Sequence, residues 1–340
     1  MSHIKKAIAL FSGGLDSILA VKLILEQNIE VIGVRFETPF IESYCDHYIE
    51  QYLGISLIKK DISNDFKKIL YNPRHGYGKR ENPCIDCRIL MFRKAGELME
   101  EEKALLIISG EVLGQRPMTQ NKRMLQLISE ESGYANKIIR PLSALLLPET
   151  DPEKDKIIDR LKLLDIQGRS RKRQIALAEQ WGIKKYPTPA GGCKLTEPSF
   201  AKRLNELMGK ITNMNYHKGD IDLLKVGRHF SLNKEFKLVV GRNENENQKI
   251  ISLFQPQDYL LSSQYCKGPV SLLRRYTDLD DEVMEVETVL DLASRIVARY
   301  CDKGHSSDLV DIVIWSYDKT FHQTRYVQSF SDSIIQHYLI

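Results

Sequence analysis

The chain begins with a charged pair, Lys5-Lys6, then five apolar residues from Ala7 to Phe11, then Ser12-Gly13-Gly14. A short apolar run closed by turn residues predicts a buried strand over Lys6 to Phe11. The pattern then alternates. Apolar positions at helical spacing run from Ser17 to Gln27, Ile41 to Tyr52, Ile89 to Glu102 and Thr119 to Glu131. Strand-like runs cover Glu30 to Phe36, Ser56 to Asp61 and Ala104 to Ser109. This alternation predicts an α/β fold, a doubly wound parallel sheet with helices on both faces. Asn72 to Pro83 has no periodicity and carries His75-Gly76-Tyr77-Gly78, so it reads as a loop. It is expected over the carboxyl ends of the strands, where open parallel sheets bind ligands.

Between Pro148 and Pro198 the texture changes to acidic and lysine-rich helical sequence, then a basic run and a helix, then Tyr186-Pro187-Thr188-Pro189. A domain boundary is expected near residues 200–220, giving a first domain over 1–205 and a second over 220–335. In the second, Phe236 to Val240, Ile250 to Phe254 and Val310 to Trp315 read as strands. Val289 to Tyr300 reads as a helix that Thr288 could cap. The expectation is a smaller α+β domain.

At 340 residues the chain is long enough for two domains. No apolar run reaches the roughly 18 residues of a membrane span. The five-residue run ahead of Ser-Gly-Gly is too short for a signal peptide, so a cytoplasmic location without membrane attachment is expected. Six cysteines without a secretion signal do not form a disulfide framework. Cys45, Cys266 and Cys301 have apolar or aromatic neighbours and read as structural. A net charge of +4 permits a nucleic-acid partner without requiring one.

The hexapeptide Ser12-Gly13-Gly14-Leu15-Asp16-Ser17 lies between a strand and a helix, where backbone N–H groups and a helix N-terminus can hold a phosphate. The glycines let the backbone approach the ligand, and Ser12 and Ser17 add hydroxyl donors. Asp16 is the informative residue. A carboxylate beside phosphate is repulsive unless Mg²⁺ lies between them, which points to metal-assisted release of pyrophosphate. The bland alternative makes Asp16 a helix cap. Gly110 and Gln115, after the Ala104–Ser109 strand, are candidates for the same nucleotide pocket.

Three cysteines sit in polar loops. Cys84 and Cys87 have CxxC spacing just before the expected helix, whose dipole would stabilise thiolates. Cys193 lies in Ala190-Gly191-Gly192-Cys193-Lys194. Zinc would want a fourth ligand, and none is adjacent. A redox dithiol is also compatible with the pair. Three thiolates can instead hold a [4Fe-4S] cluster with one iron open to an added sulfide. Around Cys193, Arg169, Arg171, Lys172, Arg173, Lys184, Lys185 and Lys194 form a basic cluster suited to phosphate contact with RNA, or to a solvated helix face.

The hexapeptide resembles the signature of the PP-loop ATP pyrophosphatases, which implies ATP and Mg²⁺ as cosubstrates and adenylation of an oxygen. Asn82-Pro83-Cys84, Gly110-Glu111-Val112-Leu113-Gly114-Gln115, Ile139-Arg140-Pro141-Leu142 and Gly191-Gly192-Cys193 resemble the tRNA-thiolating branch, the 4-thiouridine synthases and the cluster-dependent 2-thiouridine synthases. The segment Lys237 to Asn247, with Lys267-Gly268-Pro269-Val270, resembles the RNA-associated domain of the NFACT family. These resemblances imply a tRNA sulfurtransferase. A uridine oxygen attacks the α-phosphate of ATP, and sulfur held at Cys84, Cys87 and Cys193 displaces AMP, by a cluster or by a cysteine persulfide. The phosphate-loop strand starts almost at Met1 and no rhodanese-like domain is recognisable, so sulfur is expected from free sulfide or a separate persulfide donor. A homodimer is compatible with the sequence. Two other readings stay open: a PP-loop amidotransferase or synthetase that transfers nitrogen, and a non-catalytic RNA-binding protein sensing ATP and a cluster.

Overall fold

A computed structural model describes residues 5–41, 52–79, 82–186, 192–211, 216–276, 286–302, 304 and 308–340. The chain divides into two compact units, Met1–Thr196 and Glu197–Ile340.

The first unit is built on five parallel strands: β1 (Lys6–Leu10), β2 (Glu30–Glu37), β3 (Ser56–Asp61), β4 (Leu106–Ser109) and β5 (Ile138–Ile139). Their order in space is β3-β2-β1-β4-β5. The chain winds outward from β1 in one direction, then returns to add β4 and β5 on the other side. The direction of winding therefore reverses between β1 and β4, where ligand crevices form in such sheets.

The helix Leu15–Leu25 follows β1 and is apolar almost all round, with Ile18, Leu19 and Ile24 fully buried. It is covered on one side by Ala7, Ala9 and Ile108 of the sheet and on the other by the helix Lys172–Gln180. Full burial of each such side chain contributes about 1.5 to 3 kcal/mol. The helices Ser63–Tyr71, Cys84–Glu101 and Lys122–Ser132 pack together, and Cys84–Glu101 also lies on β1 and β4. The doubly wound α/β expectation is met. The helix expected over Ile41 to Tyr52 falls largely outside the described residues. The helix expected from Ile89 starts at Cys84, with Pro83 as its N-cap and Cys84 to Cys87 as its first turn.

The second unit is a six-stranded antiparallel sheet of order β11-β10-β8-β9-β7-β6. The strands are β6 (Arg228–Ser231), β7 (Phe236–Val240), β8 (Asp258–Ser262), β9 (Ser271–Arg275), β10 (Val310–Ser316) and β11 (His322–Val327). One face packs on the helix Val286–Arg299, with Cys301 in the core and Cys266 against it. Ile250 to Phe254 is not a strand. Ile250 lies in the helix Glu244–Ser252, started by the Asn243 side chain accepting from Glu246 N at 3.0 Å. That cap outweighs the short apolar run that suggested a strand. No helix among the described residues is long and apolar enough to cross a membrane.

His229 on β6 is 1% exposed, and its Nε2 lies 2.7 Å from Val226 O. Burial first, then Lys237 and Arg203, hold the imidazole well below its ordinary range. The unfolded chain takes up a proton near pH 6.5 where the folded chain does not, so stability is lost as pH falls through about 6.5. The unfolding midpoint of the second unit is expected to drop between pH 7 and 5. His229→Gln is expected to flatten that drop, as measured by thermal unfolding across the interval.

Candidate active site

The turn after β1 is where sequence and sheet topology meet. Phe11 N still donates to Val34 O at 2.9 Å, and the chain then turns through Gly13 at φ 73°, a conformation that favours glycine. Gly14 is the N-cap of Leu15–Leu25, and Ser17 Oγ donates to Gly14 O at 2.7 Å. Ser12 Oγ lies 3.4 Å from both Gly14 N and Ser17 Oγ, so the two hydroxyls line one side of the turn. Asp16 does not cap the helix. Gln115 Nε2 donates to its Oδ2 at 3.1 Å, and Arg171 approaches its Oδ1 at 3.6 Å. That Oδ1 is shielded from solvent yet accepts no hydrogen bond, and Arg171 Nε is likewise unmatched.

Gly110, at the end of β4, packs against this turn. A Cβ there would lie 2.6 Å from both Asp16 C and Ser17 N, so only glycine lets the two segments touch. The next residue, Glu111, is buried and pairs with Arg140 Nε at 3.0 Å, with Arg88 Nε at 3.7 Å. Arg140 also donates to Ser129 Oγ and Leu125 O and lies over the Phe92 ring. The Gly-Glu-Val-Leu-Gly-Gln and Ile-Arg-Pro-Leu segments are thus joined by one buried ion pair. Leu113 O accepts from Gly168 N at 2.7 Å, which draws in the segment that delivers Arg171 to Asp16.

Cys84 and Cys87 occupy the first turn of their helix rather than the loop before it. Asn82 Nδ2 donates to Cys84 Sγ at 2.9 Å, while Asp86 accepts from Arg74 N and His75 N and so pins the preceding loop. Cys193 is fixed from the other side, paired with Ile41 beyond β2, with Lys194 N donating to Phe40 O at 2.8 Å. The three thiols come within electrostatic reach of one another. Burial, aided by Cys193 and Cys84, pushes Cys87 up to about 12, and burial pushes Cys193 up to about 11. Arg88 pulls both down.

Arg116 is the residue that sequence reasoning missed. Its guanidinium is acted on by the charges of Arg88, Asp16, Cys84 and Glu111. It also acts on Cys193. One cation therefore has the phosphate loop and the thiols as common neighbours. The only signal in the sequence was its position directly after Gln115.

The basic cluster is divided. Arg171 faces Asp16, and Arg173 pairs with Asp165 at 2.6 Å. Arg169, Lys172, Lys184 and Lys185 are exposed, and Lys194 is half-buried. Gly191 lies outside the described residues.

With this geometry in hand, the comparisons are decisive for the family. A family model described as thiamine biosynthesis protein (ThiI) matches residues 3–174, just over half of the chain. The chain belongs to the ThiI family. A second model, NFACT protein RNA binding domain, matches residues 227–339 of this ThiI-family chain. The chain is similar to the tRNA-specific 2-thiouridylase MnmA of Helicobacter acinonychis, 24% identical over 83% of this chain and 91% of that protein. It is also similar to a probable tRNA sulfurtransferase of Methanosarcina mazei, 29% identical over 53% of this chain and 44% of that protein. The chain thus spans less than half of that relative's length. A solved 4-thiouridine synthetase in complex with RNA and ATP aligns over 59% of this chain and 50% of its own, at 19% identity and TM-score 0.37.

Three outcomes are expected in denaturant unfolding. Gly110→Ala forces backbone apart and should cost about 1 to 3 kcal/mol in denaturant unfolding. Gly209→Ala, with open space around its Cβ inside a helix, should be neutral or stabilising by up to about 1 kcal/mol. Glu111→Ala leaves Arg140 buried without its carboxylate and should cost about 3 to 5 kcal/mol in the same assay.

Proposed function

We propose that this chain is an ATP-dependent tRNA sulfurtransferase acting in the cytoplasm. The reading is supported by the family match over residues 3–174, together with the charge of Arg116, which is felt both by Asp16 of the phosphate turn and by Cys84 and Cys193. A phosphate-binding turn and a thiol cluster that share one cation suit a reaction in which sulfur replaces an adenylated oxygen. A nitrogen-transferring synthetase has no use for the thiols.

The turn from Ser12 to Ser17 holds the phosphates of ATP through its backbone N–H groups and two hydroxyls. The residues fit Mg²⁺, since Asp16 Oδ1 is a shielded carboxylate oxygen without a hydrogen bond. When bound, the ion would screen the phosphate charge and favour departure of pyrophosphate. Gln115 and Arg171 hold the Asp16 carboxylate in one orientation. The uridine carbonyl oxygen bonds to the α-phosphorus as the bond to pyrophosphate breaks. Sulfur then adds to the activated carbon, and the C–O bond breaks to release AMP. Arg116 lies where it can balance negative charge in both steps.

The donor set fits a [4Fe-4S] cluster. Cys84, Cys87 and Cys193 would hold it, and when bound such a cluster would supply a site for the transferable sulfur. Among the described residues, no three His, Cys, Asp or Glu side chains are close enough to ligate a single metal ion. A cluster holds its thiolates farther apart than one ion does. Burial keeps Cys87 and Cys193 as neutral thiols, so an electropositive centre is what would make ligands of them.

Anaerobically purified protein should contain about four irons with matching acid-labile sulfide, and Cys84→Ala, Cys87→Ala and Cys193→Ala should each lose them. No iron after anaerobic reconstitution would exclude the cluster. Asp16→Ala should abolish ATP-dependent thiolation of unmodified tRNA, read by nucleoside mass analysis, while iron content and tRNA binding persist. Full thiolation by that variant would overturn the adenylation role.

A further inference from the structure

The second unit contains a polar cavity of about 220 Å³ between β6, the start of the helix Glu244–Ser252 and the end of the helix Val286–Arg299. It is smaller than the roughly 300 to 1,000 Å³ of sites for drug-sized molecules, and its lining is mostly polar. Two arginines define it, and they are held differently. Arg242 is fixed by Glu246: its N donates to Oε2 at 2.9 Å and its guanidinium spans both carboxylate oxygens. Its charge is partly balanced. Arg228 lies over the Tyr300 ring, 4.8 Å from the centroid, and pairs with no carboxylate among the described residues. It brings an unmatched positive charge on a flat face already backed by an aromatic ring.

Gly241 and Gly268 in the lining are glycines because the domain packs against them, since a Cβ would lie 2.2 Å from Asn247 Oδ1 or 2.5 Å from Cys301 Sγ, respectively. The nine-residue helix that Asn243 caps carries Glu244 and Glu246 in its first turn, so the charge open to an anion is that of the guanidinium groups. A planar guanidinium on an aromatic platform beside a second guanidinium suits a phosphate next to an unpaired base. The base stacks on the guanidinium plane and the phosphate takes its charge.

We propose that this cavity binds a single unpaired nucleotide of RNA, with Arg228 as the stacking and phosphate-contacting residue and Tyr300 as its support. This goes beyond the RNA-binding match by assigning a site, and it rests on the reading that the protein acts on tRNA.

The test is fluorescence anisotropy of the full chain with a labelled, unmodified tRNA transcript over a range of salt concentrations. Arg228→Ala should weaken binding about tenfold and lower the slope of log K against log salt by about 0.7 to 0.9, one phosphate contact. Arg228→Lys keeps the charge without the planar face, so it should retain the wild-type slope with an intermediate loss of affinity. Thermal unfolding and RNA-independent ATP cleavage should be unchanged in both. Wild-type affinity and slope in Arg228→Ala, with wild-type binding intact, would overturn the pocket and leave the sulfurtransferase reading standing. A wild-type chain that binds no tRNA would overturn that reading and the pocket together.

Discussion

The contact on which the first unit depends is backbone against backbone. β1 and β4 are parallel neighbours although about a hundred residues separate them, and beyond their ends Gly110 meets the Asp16–Ser17 turn where no Cβ fits. That approach sets where Asp16 lies relative to Gln115, five residues past Gly110. The two segments meet at the place where the sheet reverses its winding, where ligands bind in open parallel sheets.

Charge is arranged outward from that contact in a graded way. Glu111 is buried, with Oε2 paired to Arg140 and Oε1 left without a hydrogen bond, and the pair fixes two distant loops to each other. Asp16 is less enclosed and keeps one oxygen unmatched, which leaves capacity for a ligand. Arg116 is exposed at the rim, among the phosphate loop and the cysteines. The second unit uses arginine in two ways: Arg274 pairs with Asp258 and Asp220 and donates to Leu253 O inside the core, whereas Arg228 lies against the Tyr300 ring.

Much of this was legible along the chain. The strand-turn-helix around Ser12 to Ser17 is a local object, since φ at Gly13, the Gly14 N-cap and the Ser17 hydroxyl bond lie within six residues. The parallel sheet followed from alternation of apolar runs. The start of the Cys84 helix was missed because Cys84 to Arg88 is a single turn after proline, too short to show a period of its own. Ile250 misled for the opposite reason: a local apolar run looked like a strand until the Asn243 cap, seven residues earlier, fixed a helix over it.

By itself the sequence determined the elements, the phosphate turn and the residue types able to carry sulfur chemistry, because these follow from periodicity, glycine conformation and thiol chemistry over short spans. Only the tertiary structure decided which distant residues meet. It joined Glu111 to Arg140, turned Arg171 away from solvent onto Asp16, and brought Cys193 to the Cys84 helix through pairing beyond β2. Such meetings depend on sheet order and on burial, which set the energy of a charge by what surrounds it rather than by what precedes it in the chain.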